Sequence, residues 1–218
     1  MPAKLKIFLT VFLLMRAFAF YAQQPVIKNL VFEGAGMRGI AYTGAISELE
    51  KNGQLEKVER VAGTSSGAIT ALLISLGYTA DEITAIVYRT PFKKFNDGRF
   101  FLIGGINRFQ KYYGWYRGRQ FEKWLSGLIA AKTGDANISF ADLRKKGFRQ
   151  LYVTGTCINK QMLVIFSHET YPNMKVKDAI RISMSIPLYF EAVFLNASGK
   201  IINHPKNKEG LDIMLMEA

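Results

Sequence analysis

Two apolar runs near the start of the chain are each followed by a glycine-rich turn and then by a longer apolar or amphipathic segment. Residues 27–32 (I-K-N-L-V-F) predict a short buried strand, and residues 40–51 predict a helix with apolar positions on one face. Residues 58–62 predict a second strand, and residues 68–76 an apolar helix. Two consecutive strand–turn–helix units are typical of a parallel α/β sheet with a right-handed crossover.

The rest of the chain continues the mixture of helix and strand. Helices are predicted from a Thr79–Glu82 capping box to about residue 89, over residues 120–132, over residues 140–146 behind a Ser139 cap, and over residues 176–184. Strands are predicted at residues 151–157, 162–166 and 211–216, with a hairpin formed by residues 191–195 and 200–203 around the turn 196–199. The pattern indicates one α/β domain.

Composition narrows the classes of partner. The chain has 218 residues, which suffices for one domain with a real core, and 49% of them are hydrophobic. The formal net charge of +12 favours anionic partners such as phospholipid headgroups, nucleic acid or acidic substrates. Cys157 is the only cysteine, and the two histidines, His168 and His204, are far apart. We therefore expect no intrachain disulfide, no metal site and no cofactor.

The first 22 residues resemble a bacterial signal peptide. Two lysines precede an apolar run at residues 7–15, and small residues permit cleavage after Ala19 or Ala22. Arg16 departs from this pattern, and the alternative is an uncleaved interfacial anchor or a disordered leader. We expect the protein to be exported or membrane-associated, with the folded domain over residues 27–216.

A serine lies in a turn that suits a nucleophile. Gly63-Thr64-Ser65-Ser66-Gly67 fits the pattern G-x-S-x-G between a predicted strand and a predicted helix. Such a turn exposes the serine hydroxyl, and the two glycines let neighbouring backbone pack closely. The helix that follows directs its first N–H groups toward developing negative charge. The alternative is an ordinary Gly/Ser turn in which Ser65 or Ser66 caps the helix.

The first glycine turn, Gly34-Ala35-Gly36-Met37-Arg38-Gly39, has two interpretations. As G-x-G-x-x-G it fits a dinucleotide-binding loop, with Glu59 as the acidic residue for the ribose. As an oxyanion loop it would present backbone N–H groups near Gly36 and Met37 to Ser65. We favour the oxyanion loop, because a nucleotide site leaves the serine turn unexplained. Arg38 would then meet an anionic headgroup or hold the loop, or else be a simple surface residue.

Together these residues resemble the patatin-like phospholipase family. The match is carried by residues 31–45, residues 61–69, and the small-residue, proline and phenylalanine segment at 182–190. The resemblance implies a three-layer α/β/α sandwich, a Ser–Asp dyad without histidine, and hydrolysis of acyl esters of glycerolipids, often phospholipids. It assigns Ser65 as the nucleophile. It assigns the oxyanion motif to Gly34, Gly36, Met37, Arg38 and Gly39. Gly63 and Gly67 are the two glycines of the nucleophile turn.

The sequence departs from that family at the catalytic aspartate. The family's Asp-Gly-Gly or Asp-Gly-Ala motif should follow the proline segment, yet residues 214–218 (M-L-M-E-A) occupy its place. Asp212 lacks the glycines, and Asp97-Gly98 precedes the proline segment, where it predicts a turn. No aspartate base can be assigned. We therefore expect a fold that is incomplete at the C-terminus and a chain that is inactive or nearly so.

Three further interpretations remain open at this point. A non-catalytic lipid- or membrane-binding module would keep the pocket and lack the base. Ser65, Asp178 and His204 follow the chain order of a Ser-His-Asp esterase, although His204 lies in a basic turn. The aromatic and basic stretch at residues 93–119 predicts either a membrane-facing lid or, preferably, aromatic cover for the core.

The expected partners follow from these interpretations. We expect a lipid ester substrate, preferably a phospholipid, and an anionic membrane surface. No nucleic-acid-binding motif accompanies the aromatic and basic stretch, so nucleic acid is not expected as a partner. No feature of the sequence specifies an oligomeric state.

Overall fold

The computed structural model describes residues 2–8, 10, 26–98 and 103–217. Residues 3–8 and 10 are helical and exposed. Both predicted signal cleavage sites, together with Phe100 and Phe101, lie outside the described residues. In the described part of the chain, no helix is both long and apolar enough to cross a bilayer.

A mixed sheet forms the centre of the molecule. Its strands are β1 (Asn29–Phe32), β2 (Arg60–Gly63), β4 (Gln150–Cys157), β5 (Met162–Phe166), β7 (Val193–Leu195) and β8 (Asp212–Leu215). They run in the order β1-β2-β4-β8-β7, with β5 also paired to β4. Two further strands, β3 (Gly114–Tyr116) and β6 (Leu188–Phe190), form a small parallel sheet of their own.

The prediction of a parallel sheet is correct for one part of the central sheet and wrong for the other. The pairs β1–β2 and β2–β4 are parallel, whereas β4–β5, β4–β8 and β7–β8 are antiparallel. For β4 and β5 the reason is the connection, because only residues 158–161 separate them and so short a link permits only antiparallel pairing. The antiparallel pairs of β8 with β4 and β7 are formed across longer connections.

Helices pack against this sheet. Numbered from the first helix after β1, they are α1 (Tyr42–Lys51), α2 (Ser66–Ser75), α3 (Ala80–Arg89), α4 (Ile103–Tyr112), α5 (Arg119–Thr133), α6 (Phe140–Lys145) and α7 (Val176–Ser183). Helix α2 packs against β1, β2 and β4, and α7 packs against β4. Because α2 is buried along almost its whole length, its uniformly apolar sequence suits its position. The predicted fold class, α/β with a central sheet, is confirmed.

Local signals located several helix ends correctly. Thr79 and Glu82 form the predicted capping box of α3, and the Ser139 hydroxyl accepts the N–H of Asp142 at the start of α6. The predicted helix at residues 40–51 begins instead at Tyr42, after a 3-10 helix at Gly36–Ala41. Cys157 is buried in the core.

The predicted hairpin at residues 191–203 forms only in part. Its turn is present, because the N–H of Asn196 donates to the carbonyl of Lys200 at 3.0 Å. However, residues 200–203 contribute a single bridge, between Ile201 and Leu195. Strand β7 pairs along its length with β8 instead, so a non-local strand displaces the local partner.

Candidate active site

Ser65 lies between the carboxyl end of β2 and the first residue of α2. Its backbone has φ 53° and ψ −123°, a conformation that non-glycine residues rarely adopt. The Ser65 N–H donates to Oγ of the fully buried Ser183 at 2.9 Å. This contact holds a sharp, strained strand-to-helix turn of the kind that suits a nucleophilic serine.

The two glycines of the turn are required by close backbone approach. A Cβ on Gly63 would lie 2.3 Å from the carbonyl oxygen of Gly67. A Cβ on Gly67 would lie 2.3 Å from the carbonyl oxygen of Phe32, at the end of β1. Neither position can carry a side chain without a backbone shift, so the glycines set how tightly the turn packs against the neighbouring strand.

The glycine loop lies beside Ser65. A Cβ on Gly34 would be 3.5 Å from Cβ of Ser65, and the N–H of Ala35 donates to Oγ of Ser66 at 3.1 Å. Within the described part of the chain, no acceptor takes the N–H groups of Gly36 and Met37, which begin the 3-10 helix. Unpaired backbone donors in a loop that packs against the serine turn are candidates for an oxyanion hole.

The dinucleotide interpretation of this loop is wrong. Glu59 lies just before β2, at the opposite end of that strand from the glycine loop. It is exposed and pairs with Lys28 at 2.9 Å, and the hydrogen bond from Lys28 lowers the pKa of its carboxyl. An acidic residue at the amino end of a parallel strand does not reach a ligand at the carboxyl end.

Arg38 and Gly39 occupy the far half of the loop. Arg38 is exposed. A Cβ on Gly39 would lie 3.0 Å from Oγ of Ser66, so the loop is close to the turn here as well. The hydroxyl of Tyr42 donates to the carbonyl of Glu33 at 3.0 Å and ties the start of α1 to the start of the loop.

An apolar cavity of about 330 Å³ opens beside Ser65. This volume lies within the range of small-molecule pockets, roughly 300–1,000 Å³. Its wall combines the glycine loop, the serine turn and mostly apolar side chains from α2, α3, the 3-10 helix Phe92–Phe95 and the segment 184–190. The apolar residues of this wall include Ile69, Leu73, Val87, Phe95, Phe190 and, from α5, Trp124. The aromatic stretch at 93–119 therefore contributes to the core, as preferred from the sequence, and also to this cavity.

The hydroxyl of Ser65 has an unusual hydrogen-bond partner. Its Oγ donates to Sδ of Met184 at 3.6 Å. Among the described residues, no imidazole or carboxylate is hydrogen-bonded to this hydroxyl. Thioether sulfur is a weak acceptor and cannot take a proton from serine near neutral pH. The candidate nucleophile therefore has no activating base in contact among the described residues.

A carboxylate that the sequence did not single out lies next to the turn. The hydroxyl of Thr64 donates to Oε2 of Glu217 at 3.1 Å, and it is itself 2.5 Å from the hydroxyl of Thr154. The contact depends on β8 lying beside β4, which is a long-range pairing without a local sequence signal. Glu217 therefore binds the neighbour of Ser65 and not Ser65 itself.

The Ser-His-Asp triad is not assembled. His204 bonds Oε2 of Glu191 at 3.0 Å and stacks on Tyr112. Both His204 and Asp178 line a second, polar cavity of about 1220 Å³, whereas Ser65 lines the apolar one. This esterase interpretation is wrong for the structure.

Asp97 caps the amino end of α5. Its carboxylate accepts the N–H groups of Gly118 and Gln120, at 2.7 and 3.1 Å, at the start of α5. Two backbone donors occupy the carboxylate that would otherwise be a candidate base. In the described part of the chain, no group of three or more His, Cys, Asp or Glu residues is placed to hold a metal ion.

Comparison with known proteins identifies the family. The family model described as patatin-like phospholipase matches residues 30–202, which include the glycine loop, the serine turn and the segment that carries Met184. This chain belongs to the patatin-like phospholipase family.

Two relatives show the range of this family. An uncharacterized protein of Bacillus subtilis, YqhO, is 37% identical over 174 residues, which are 76% of this chain and 57% of that protein. A probable lipid hydrolase of Invertebrate iridescent virus 6, 463L, is 27% identical over 91% of this chain and 67% of its own length. The chain thus spans little more than half of the Bacillus relative.

Two solved structures share the fold. VipD from Legionella pneumophila superposes with a TM-score of 0.61 at 18% identity, covering 88% of this chain and 46% of its own. The type III effector ExoU superposes with a TM-score of 0.52 at 21% identity, covering 75% of this chain and 40% of its own. The patatin-like fold expected from the sequence is therefore confirmed.

Proposed function

We propose that this patatin-like chain is a serine acyl hydrolase that acts on lipid esters, with Ser65 as the nucleophile. One observation carries the proposal. Ser65, Gly36 and Met37 line the same apolar cavity, and among the described residues no acceptor takes the N–H groups of Gly36 and Met37. Hydrolysis of a lipid ester requires a nucleophile, hydrogen-bond donors for the carbonyl oxygen and an apolar space for the acyl chain.

The reaction follows from this arrangement. The acyl chain occupies the apolar cavity, and the carbonyl oxygen accepts the N–H groups of Gly36 and Met37. Oγ of Ser65 attacks the carbonyl carbon while its proton passes to solvent water, and the tetrahedral oxyanion is stabilised by the two N–H groups. The C–O bond to the alcohol then breaks, and the alcohol leaves with a proton taken from solvent. Water then hydrolyses the acyl-enzyme, which releases a fatty acid and restores the Ser65 hydroxyl. No metal or cofactor takes part in these steps.

Activity of the 218-residue chain is expected to be weak. Proton removal from Ser65 needs a base, but its hydroxyl faces Met184, and the carboxylate of Glu217 is bound by Thr64. A serine hydrolase without its base can retain an acceleration of roughly 10³–10⁴ over water from the oxyanion hole and binding. The same observation favours a second candidate function, a lipid-binding module that holds an acyl chain without cleaving it.

Phospholipids are the proposed substrate class, and an anionic membrane is their source. The viral relative is described as a probable lipid hydrolase, and an Escherichia coli relative that matches 30% of this chain as a cUMP-AMP-activated phospholipase. Exposed Arg38 beside the cavity and a net charge of +12 favour a negatively charged headgroup. The signal-like N-terminus leads us to propose export or membrane association.

Hydrolysis of p-nitrophenyl acyl esters and phospholipid vesicles by the full chain, beside Ser65→Ala, tests this proposal. Ser198→Ala, in an exposed turn, is the matched control. The proposal expects slow hydrolysis that disappears with Ser65→Ala and is unchanged with Ser198→Ala. Equal rates in all three folded proteins would contradict it. Acyl-chain binding without hydrolysis would favour the lipid-binding module.

A further inference from the structure

Four large apolar side chains are exposed around the entrance of the cavity at Ser65. Met37 is 65% exposed, Leu188 55%, and Ile186 and Tyr189 37% each. Three of them, Met37, Ile186 and Tyr189, also line the cavity. We name these four residues the apolar rim. Exposed apolar groups that are continuous with a binding cavity mark an interaction surface more often than chance exposure does.

A basic segment adjoins the apolar rim. Lys93 and Lys94 are exposed on the 3-10 helix Phe92–Phe95, whose two phenylalanines line the same cavity. The Tyr189 hydroxyl hydrogen-bonds Oδ1 of Asn96 and so joins the rim to this segment. None of the ion pairs in the described part of the chain involves either lysine. Their charge is therefore available to an external partner.

We infer that the apolar rim docks on an anionic lipid bilayer, with Met37 and Leu188 inserted and Lys93 and Lys94 at the headgroups. The inference rests on the proposed function for the content of the cavity, since an acyl chain must pass from the bilayer through this entrance. Apolar side chains enter the acyl boundary, tyrosine suits the interface, and each lysine near an anionic surface adds attraction. The net charge of +12 has the matching sign.

A second apolar surface provides the contrast. Met162 and Leu163 on β5 are each 49% exposed, but they do not line the cavity. The nearby Lys160 is paired with Asp212 at 2.8 Å, so its charge is already neutralised. This surface therefore has apolar exposure away from the cavity at Ser65, and the nearby Lys160 is already paired. It supplies matched control positions for the rim.

Vesicle binding tests the inference in the full chain carrying Ser65→Ala, so that no lipid is hydrolysed. The vesicles contain phosphatidylcholine alone, or equal parts of phosphatidylcholine and phosphatidylglycerol. Lys93→Gln with Lys94→Gln is compared with Lys51→Gln and Lys57→Gln, which are exposed residues near the amino end of β2, away from Ser65. The first pair is expected to weaken partition into anionic vesicles roughly twenty-fold, and the second pair far less.

Insertion is measured at single positions, independently of the apolar N-terminal segment. Leu188→Trp and Leu163→Trp are compared for quenching by phosphatidylcholine with brominated acyl chains in anionic vesicles. If the apolar rim inserts, the fluorescence of the added tryptophan is strongly quenched at position 188 and not quenched at position 163. Equal quenching at both positions, none at 188, or equal effects of the two lysine pairs would overturn the inference. Because binding here needs no nucleophile, a failed hydrolysis assay and a failed binding assay are distinguishable.

Discussion

Oγ of Ser65 donates a hydrogen bond to Sδ of Met184, 3.6 Å away, although this is the hydroxyl that the proposed reaction requires to lose its proton. The backbone around it is strained, and the neighbouring glycine loop carries two N–H groups, of Gly36 and Met37, without an acceptor among the described residues. The described residues thus combine a candidate oxyanion loop with a proposed nucleophile whose hydroxyl contacts no base. This combination accounts for the weak activity that we expect.

Supplying a carboxylate at the end of β8 should raise that activity. Replacement of residues 216–218 by Asp-Gly-Gly is expected to increase the rate of Ser65-dependent ester hydrolysis by about 10²–10⁴-fold. This is the usual contribution of a positioned base. The measurement is kcat/KM on a p-nitrophenyl ester. Asn-Gly-Gly at the same positions is the control, since it keeps the shape and lacks the charge. A gain that is equal for Asp and Asn would exclude base catalysis as its cause.

Gly67→Ala should destabilise the fold severely. Its Cβ would lie 2.3 Å from the carbonyl oxygen of Phe32, so β1 and the serine turn must separate, at a cost of about 2–3 kcal/mol. Gly127→Ala is the matched control, because this exposed position in α5 has open space and should gain up to about 1 kcal/mol. Urea unfolding measures both. Similar stabilities of the two variants would show that the close approach at Gly67 is not needed.

Asp97→Ala and His204→Ala should leave the hydrolytic rate per folded molecule unchanged. Asp97 caps α5, and its loss should cost about 1 kcal/mol of stability through the two freed N–H groups. His204 pairs with Glu191 beside the other cavity. The assay is ester hydrolysis normalised to folded protein. A hundred-fold rate loss in either variant would return that residue to the list of candidate bases.

The free energy of unfolding should fall as the pH rises toward the pKa of the Asp178 carboxyl in the folded protein. Burial raises the pKa of its carboxyl from 3.8 to about 6, while Lys175 and Lys177 oppose the shift. Because the pKa is higher in the folded state, folding favours the protonated form. The unfavourable contribution is absent below about pH 4, develops between about pH 4 and 6, and is complete above that range.

Asp178→Asn removes this dependence. Relative to the parent, it should stabilise by about 1–2 kcal/mol near pH 7.5, after allowance for the partial exposure of the side chain, and by much less near pH 4.5. Thermal or urea unfolding at both pH values provides the measurement. The same difference at both values would mean that Asp178 does not titrate as described.

Much of the fold is predictable because its signals are local. The Thr79–Glu82 capping box, the Ser139 cap and the strand–glycine–helix pattern around Ser65 each depend on residues adjacent in sequence. Backbone propensity and capping act over a few neighbouring residues, so they can be recognised directly in the sequence. The glycine turn and the serine turn were both located, although the loop's 3-10 geometry at Gly36–Ala41 was not.

The missing parts are those that depend on distant pairing. Strand β3 pairs with β6 through Gly114 and Leu188, and no local pattern marks either strand. The partners of the serine turn, Ser183 at the Ser65 N–H and Glu217 at Thr64, come from segments far along the chain. Such contacts arise only when the sheet is assembled. The sequence therefore predicts well which residues could carry out the chemistry of the site. It predicts poorly which other residues contact them and fix their positions.

Covalent labelling of Ser65 tests the central claim most directly, because it does not require turnover. A p-nitrophenyl alkylphosphonate should phosphonylate Oγ of Ser65 with release of p-nitrophenolate, and the alkyl chain should occupy the apolar cavity. Mass spectrometry of the labelled chain is expected to show one adduct on the peptide that contains Ser65. Ser65→Ala should show no adduct, and Ser198→Ala should label like the parent. No adduct on a folded parent chain, or equal labelling of Ser65→Ala, would contradict the assignment of Ser65 as the nucleophile.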